Sequence, residues 1–287
     1  MNIKLFVKKA KCFDWAEYDI KAFTFPGGER HVVLGDSLLA LLKNTSDMDD
    51  LSFNIWADVK SSDDLMDVLL LNNALKHYHD FDIGLKLPYF PYAQQDRYAG
   101  EGAAFSLKVF AGIINAANFS SVKILEPHSD VTSALLNNCY IEYMDEYVLE
   151  FIKRLNFDAG SVVLVAPDGG AVKRTDRIFN FLSANKCEAL DKSGYAIASK
   201  TRDLNTGKLR FLGIQGDIVK KNLLILDDIN IGGGTFLQLA EGIKNTNIPI
   251  KSLSLFTAHG IYSNGLDELR KYYTNIGCVN NRSVHKL

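Results

Sequence analysis

Short apolar runs, each closed by a polar or glycine-rich turn and then followed by a stretch of helical period, recur along the chain. Ile3–Val7, Leu51–Trp56, Ile83–Leu87, Val122–Leu125, Val162–Ala166, Leu223–Leu226 and Ser252–Phe256 read as strands. Runs this short between breakers suit a buried strand better than a helix. Cys187–Leu190 reads as one more. Ser61-Ser62-Asp63-Asp64 is a helix-start signal, and Leu65, Val68 and Leu69 continue it at helical spacing. Further helices are expected over about 103–115, from near Ser129, over 145–156, and from Gly170 to about Asn185. After Leu226, the residues Phe236, Leu239, Ala240 and Ile243 fall at i, i+3, i+4 and i+7, so one more helix has an apolar face. Strand then helix, repeated, is the pattern of a parallel sheet covered on both faces. The rhythm restarts near Val162, which predicts two consecutive α/β halves, 1–143 and 144–287.

Three stretches stand outside that rhythm. Phe25-Pro26-Gly27-Gly28-Glu29 reads as a hairpin loop. Pro88-Tyr89-Phe90-Pro91-Tyr92 holds two prolines among aromatics and is expected to form an extended, rigid loop. Residues 192–209 are polar and turn-rich with no period, which inside a compact domain predicts a functional lid or a hairpin arm.

Composition changes this picture little. Apolar residues make up 47% and charged residues 23% of the 287, ordinary for a globular protein. A formal net charge of −2 gives no reason to expect nucleic acid as a partner. Cys12, Cys139, Cys187 and Cys278 have no CxxC spacing, which predicts reduced thiols rather than a zinc site or a disulfide frame. No stretch is apolar enough for a signal peptide or a membrane span, so a soluble, cytoplasmic protein is expected.

The chemistry gathers in loops at the carboxyl ends of the expected strands, around Asp96, His128, Asp168 and Asp227. Ligands of open α/β sheets bind outside those ends. Asp227 and Asp228 close one strand, and Gly232, Gly233, Gly234 and Thr235 lead into the next helix. Successive glycines let backbone amides converge on an anion, and the helix N-terminus adds positive dipole. The two carboxylates, with no basic neighbour, suit ribose hydroxyls or a hydrated Mg²⁺. Lys200 and Arg202 supply the fixed positive charge that phosphoryl oxygens need in a transition state. Taken singly, each feature has a plain alternative: a glycine turn with solvated acids, a structural histidine, a turn-forming Asp168, a solvated KTRD loop. Taken together, one site for phosphates, a metal and a sugar is the more economical reading.

These segments resemble the ribose-phosphate pyrophosphokinases, the phosphoribosyl pyrophosphate synthetases, over nearly the whole chain. PYFPYAQQDR (Pro88–Arg97) resembles the family's PYxxYARQDR, and EPHSDV (Glu126–Val131) its D-x-H-S segment. VAPDGGAVKR (Val165–Arg174) resembles SPDxGGxxR, KTRDLNTG (Lys200–Gly207) the catalytic flexible loop, and LLILDDINIGGGT the ribose-phosphate loop VDDxxDTGGT. FPGGE (Phe25–Glu29) and TAHGIYS (Thr257–Ser263) resemble shorter family segments. The resemblance implies an α/β protein of two consecutive type I phosphoribosyltransferase-like domains, each a mainly parallel sheet flanked by helices. The first would be the ATP side; the second would carry the ribose-phosphate loop and the flexible loop.

Residue by residue, the resemblance implies ATP binding by Gln95, Asp96, Arg97 and His128, with Phe25 and Glu29 supplied from a neighbouring subunit. Ribose and its phosphate would be held by Asp227, Asp228, Asn230, Ile231, Gly232, Gly233, Gly234 and Thr235. Mg²⁺ would be held by His128 and Asp168, and Lys200 and Arg202 would be catalytic. The implied reaction moves the β,γ-diphosphate of ATP to the 1-hydroxyl of ribose 5-phosphate and releases AMP. The implied assembly is a homo-oligomer, a dimer or a hexamer. Departures leave two alternatives: transfer to a 5-substituted ribose such as ADP-ribose, and a catalytically silent regulatory homologue. Gln94 replaces an arginine, Gly27 replaces an acid, and Ile231-Gly232 replaces Asp-Thr in the sugar loop.

Overall fold

A computed structural model describes residues 2–10, 14–202 and 209–283. The chain divides into two compact units, 1–142 and 143–287.

The first unit contains β1 (Ile3–Lys9), β2 (Ala16–Tyr18), β3 (Ile20–Thr24), β4 (Arg30–Leu34), α1 (Asp36–Asn44), β5 (Leu51–Ala57) and α2 (Ser62–Lys76). It continues through β6 (Ile83–Leu87), α3 (Ser106–Ala116), β7 (Ser121–Leu125), α4 (Asp130–Leu135) and β8 (Cys139–Glu142). Its six-stranded sheet has the order β2-β1-β5-β6-β7-β8. From β5 to β8 the neighbours are parallel, whereas β1 runs antiparallel to both β2 and β5. β3 and β4 form a separate antiparallel hairpin. Leu5, Ile55, Leu71 and Leu85 lie in the core of this unit. α2 begins as its sequence signal predicts: the Ser61 hydroxyl accepts from the Asp64 amide while the Asp64 carboxylate accepts from the Ser61 amide.

The second unit contains α5 (Asp145–Leu155), β9 (Val162–Ala166), α6 (Val172–Ala184), β10 (Ala196–Arg202) and β11 (Leu209–Gln215). β12 (Asn222–Asn230), α7 (Gly234–Asn245), β13 (Ser252–Gly260), α8 (Asp267–Arg270) and β14 (Asn275–Asn281) complete it. The sheet order is β11-β10-β9-β12-β13-β14, parallel throughout except for the β10–β11 arm. Every residue of β9 is buried, as expected of a central parallel strand covered on both faces. At the start of α5, Asp145 accepts from Arg177 of α6 at 2.9 Å, and the same guanidinium lies 4.0 Å from the centre of the Tyr143 ring.

Several expectations need correction. β12 does not stop at Leu226 but runs to Asn230, and β13 runs to Gly260 instead of Phe256. The reason is the ladder: Asp227, Ile229 and Asn230 pair with Thr257, His259 and Gly260, so polar residues continue the strand on backbone bonds. Cys187–Leu190 is not a strand. It turns after α6 and touches the sheet through one bridge, Leu190 to Val162. The proline segment is not extended either; residues 91–94 form a turn in which Tyr92 has φ 63 and its carbonyl accepts from the Gln95 amide. The polar stretch 192–209 does contribute to a hairpin arm, formed by β10 and β11. Among the described residues no helix is long and apolar enough to cross a membrane, and Cys139, Cys187 and Cys278 are free thiols; Cys12 lies outside the described residues.

Candidate active site

In the second unit the carboxyl ends of β9, β10 and β12 bring four sequence-singled features to one edge of the sheet. Immediately after β9, Asp168 turns the chain: its Oδ1 accepts from the Gly170 amide at 2.9 Å and the Ala171 amide at 3.2 Å. A single 3₁₀ turn, Gly169–Ala171, leads into α6 and places Arg174 in its first turn. β12 pairs with β9 only as far as Ile225 and Val165. β12 runs on past that point, and Arg174 reaches its two acids from α6. Its Nη1 donates to Asp227 Oδ1 at 3.0 Å, and its Nη2 lies 3.2 Å from Asp228 Oδ1.

The acids therefore do have a basic neighbour, contrary to the sequence expectation. It lies 53 positions away along the chain and is brought in by α6. All three side chains are largely buried, with exposures of 10% for Arg174, 17% for Asp227 and 7% for Asp228. Burial, and then the like charge of Asp228 beside it, hold the Asp227 carboxyl well above the usual carboxylate range; Arg174 opposes both without reversing them. Asp227 Oδ1 also accepts from the Asp228 amide at 2.9 Å.

Beyond the acids, the loop Ile231–Gly233 enters α7 with Gly233 at φ 80, a left-handed conformation that favours glycine. A side chain there would also start 3.3 Å from Leu269. From behind, residues 261–264 tie down successive carbonyls of this loop. The Ile261 amide donates to Asn230 O at 2.8 Å, and the Ser263 amide to Ile231 O at 2.8 Å. Asn264 Nδ2 donates to Gly232 O at 3.0 Å. The first amides of α7 have no intrahelical partner, which is the arrangement that suits an anion. Ile231 and Gly234 are exposed, Gly232 and Thr235 half-buried, Gly233 buried. Asn230 is fully buried, and its side-chain amide has no hydrogen-bond partner among the described residues.

β10 pairs with β9 at Ala196–Val165 and Ile197–Ala166, then runs on past the end of β9 with β11 as its partner. Lys200 and Arg202 are on this projecting part, opposite Phe211 and Leu209, just after a register shift at Ser199/Lys200. The backbone thus sets both cations at the same sheet end as Asp168 and Asp227. The rest of KTRDLNTG, from Asp203, lies outside the described residues.

In the first unit, the loops after the adjacent parallel strands β6 and β7 carry Gln95, Asp96 and Arg97, and His128. Gln95, Arg97 and His128 are exposed and Asp96 is half-buried. The Leu107 amide donates to Gln95 O at 3.2 Å, anchoring that loop to α3. Phe25 and Glu29 flank the β3–β4 turn, where the Phe25 amide donates to Glu29 O and the Gly28 amide to Phe25 O, both at 2.9 Å. Phe25 packs against Phe23 and His31, with ring centres 5.1 and 5.4 Å away, yet remains 47% exposed. The Glu29 carboxylate folds over Gly27, so that a Cβ there would meet it at 2.5 Å.

As for a metal, no three His, Cys, Asp or Glu side chains gather into a cluster among the described residues. Asp168 caps a turn and Asp227 and Asp228 are tied to Arg174. This donor set does not fit a cation caged by protein alone. Mg²⁺ carried on a polyphosphate would keep its waters and need only one or two carboxylate contacts, and Asp168 would be the carboxylate to supply one at this sheet end.

The sequence reading gave no role to Arg174 or to Asn264. For Arg174 a signal existed, since a residue in the first turn of the helix after β9 points back toward the sheet end. Asn264-Gly265 reads only as a turn.

The fold defines a class: two consecutive α/β units, each built on a mainly parallel six-stranded sheet flanked by helices. A phosphoribosylpyrophosphate synthetase from Mycobacterium smegmatis has the same fold, with a TM-score of 0.68 at 19% identity over 89% of this chain and 78% of that one. Among curated proteins, the chain is 28% identical to the ribose-phosphate pyrophosphokinase of Mycoplasmopsis pulmonis over 208 residues, 72% of this chain and 61% of that protein. The Brucella melitensis ribose-phosphate pyrophosphokinase is 29% identical over 208 residues, 71% of this chain and 62% of that protein. The chain is thus similar to ribose-phosphate pyrophosphokinases, and the similarity spans only 61–62% of the length of these two. No family model matches it.

Proposed function

We propose that the protein transfers the β,γ-diphosphate of ATP to the anomeric hydroxyl of ribose 5-phosphate, giving phosphoribosyl pyrophosphate and AMP. The sugar's O1 forms a bond to the β-phosphorus, the bond from that phosphorus to the α,β-bridging oxygen breaks, and the hydroxyl proton leaves to solvent. One observation carries the reading: the glycine loop, the two acids and the arm bearing Lys200 and Arg202 meet at one end of a single sheet. The loop amides bind the 5-phosphate, Asp227 and Asp228 face the ribose hydroxyls, and the arm supplies positive charge to the diphosphate as it moves. Such chemistry needs positioning and charge neutralisation more than a covalent nucleophile. ATP enters as its Mg²⁺ complex, with Gln95, Asp96, Arg97 and His128 assigned to the nucleotide. Phe25 and Glu29 are assigned to a neighbour's nucleotide site, so the active form is a homo-oligomer.

A specific observation favours a second acceptor. Gly234 faces open space, with nothing within 4 Å of a Cβ placed there, and Ile231, three residues earlier in the same loop, is 42% exposed. That geometry accommodates a 5-phosphate continuing into a larger group, as in ADP-ribose. The experiment is to incubate the protein with Mg-ATP and either sugar and to identify the nucleotide released. AMP is expected. ADP would rule out diphosphotransfer, and no nucleotide release with either sugar would favour the regulatory homologue.

A further inference from the structure

The sugar loop is held from behind by bonds of two kinds. Asn230 O is bound by the backbone amides of Ile261 and Tyr262, which almost any sequence would supply, and Ile231 O by the Ser263 amide at 2.8 Å with a longer bond from the Ser263 hydroxyl at 3.3 Å. Gly232 O is bound by a side chain, Asn264 Nδ2 at 3.0 Å. Gly232 also has no Cβ of its own, and one added there would lie 3.0 Å from the same Asn264 nitrogen. The Asn264 amide and a side chain at 232 thus compete for one space. Two consecutive glycines, 232 and 233, otherwise leave this turn the widest backbone freedom in the loop.

We propose that Asn264 is a positioning residue of the acceptor site, standing in for the side chain that position 232 lacks. By fixing the Gly232 peptide it keeps the amides that follow aimed at the 5-phosphoryl group of a ribose. The proposal rests on the acceptor-loop reading above. It also accounts for how a loop without a hydroxyl at 232 stays organised. Asn264 is exposed, so its replacement removes little packing.

The test is calorimetric binding of ribose 5-phosphate and of ADP-ribose to the full chain, beside steady-state kinetics. Asn264→Ala should weaken the preferred sugar about five- to tenfold, the loss expected for one hydrogen bond. Asn264→Asp should weaken it further, because a carboxylate cannot donate to Gly232 O and repels the phosphate. The KM for ATP and kcat at saturating sugar should stay within about twofold of wild type. Gly232→Thr should weaken sugar binding in the wild-type background and be tolerated better beside Asn264→Ala, since the two groups share one space. Unchanged sugar binding in Asn264→Ala, equal losses for sugar and ATP, or additive effects at 232 and 264 would each overturn the proposal. A wild-type protein that binds neither sugar would overturn it as well. Sugar binding without AMP formation would sink only the transfer reaction.

Discussion

Replacing Arg174 with alanine tests the most consequential correction that the structure makes. The guanidinium spans two carboxylates, at 3.0 and 3.2 Å, and all three side chains are largely buried. At an effective dielectric of about 20, each pair at close range is worth about 4 kcal/mol of attraction, against a similar Asp–Asp repulsion. Removing one partner of a buried ion pair costs about 3–5 kcal/mol, because the survivors stay buried without compensation. Here part of that cost is relieved by a proton, since Asp227 already holds one more readily than a usual carboxylate. We therefore expect Arg174→Ala to lose about 3 kcal/mol at pH 8 and distinctly less at pH 5.

The sign follows from linkage. A carboxyl whose folded pKa is raised keeps its proton in the folded state after the unfolded chain has lost it, so stability falls as pH rises through that window. Arg174 pulls the Asp227 value down; without it the window extends further upward, and the gap between wild type and variant widens with pH. Arg174→Lys, with one charge but no fork, should fall between the two. Trp15 and Trp56 are both in the first unit, so tryptophan fluorescence does not report on the second unit directly. Denaturant-dependent alkylation of buried Cys187, in the second unit, reads it directly. A loss below about 1 kcal/mol, or one independent of pH, would refute the reasoning.

Three further outcomes are expected. Asp168→Ala should cost about 0.5–2 kcal/mol through loss of its cap, whereas Asp168→Asn should keep the cap and raise the Mg²⁺ requirement; unchanged metal dependence in the asparagine variant would leave Asp168 as a turn former only. Lys200→Ala and Arg202→Ala should each lower kcat about 10²–10³-fold with smaller effects on ATP affinity, as expected of donors that act in the transition state; equal losses would mark them as ground-state contacts. Gly242→Ala should destabilise by about 1–3 kcal/mol, because a Cβ on α7 would meet the Phe211 ring at 2.3 Å and push the β10–β11 arm outward; Phe211→Leu should relieve it, and a neutral Gly242→Ala would argue against that contact.

Strand and helix positions were legible wherever burial was two-sided, as at Val162–Ala166, because a run of apolar residues has few other uses. Lengths were not legible where the ladder outruns the apolar run. Asp227, Asp228 and Asn230 look like a turn, yet they continue β12 because β13 supplies their backbone partners. The opposite failure is Cys187–Leu190, apolar enough for a strand but granted only one bridge. The glycine loop and the helix after it were visible from residue type alone. The position of Arg174 after β9 hinted at the sheet end, but its pairing with both acids was not visible, because that depends on β9 ending before β12 does, a fact of register. Nor was the Asn264 clamp, which joins positions 32 apart.

Which sugar the loop prefers turns on magnitudes that the structure sets against one another. In a loop with room for it, a threonine hydroxyl at 232 would give a charged phosphate a bond worth about 1.5–3 kcal/mol, tenfold or more in affinity; here Asn264 occupies that room. Gly232 forgoes it, which weakens ribose 5-phosphate and ADP-ribose alike through their shared 5-phosphate. Covering a whole isoleucine side chain is worth about 1.5–3 kcal/mol, and Ile231 is 42% exposed, so a group reaching past the phosphate gains about 1 kcal/mol that ribose 5-phosphate lacks. On the proposed reading the Asn264 clamp would act on the shared phosphate and would not discriminate. Discrimination therefore falls to Ile231 and the open side of Gly234, and it amounts to roughly fivefold before any contact made by the adenosine end. A measured preference much larger than that, in either direction, must be set by residues outside this loop.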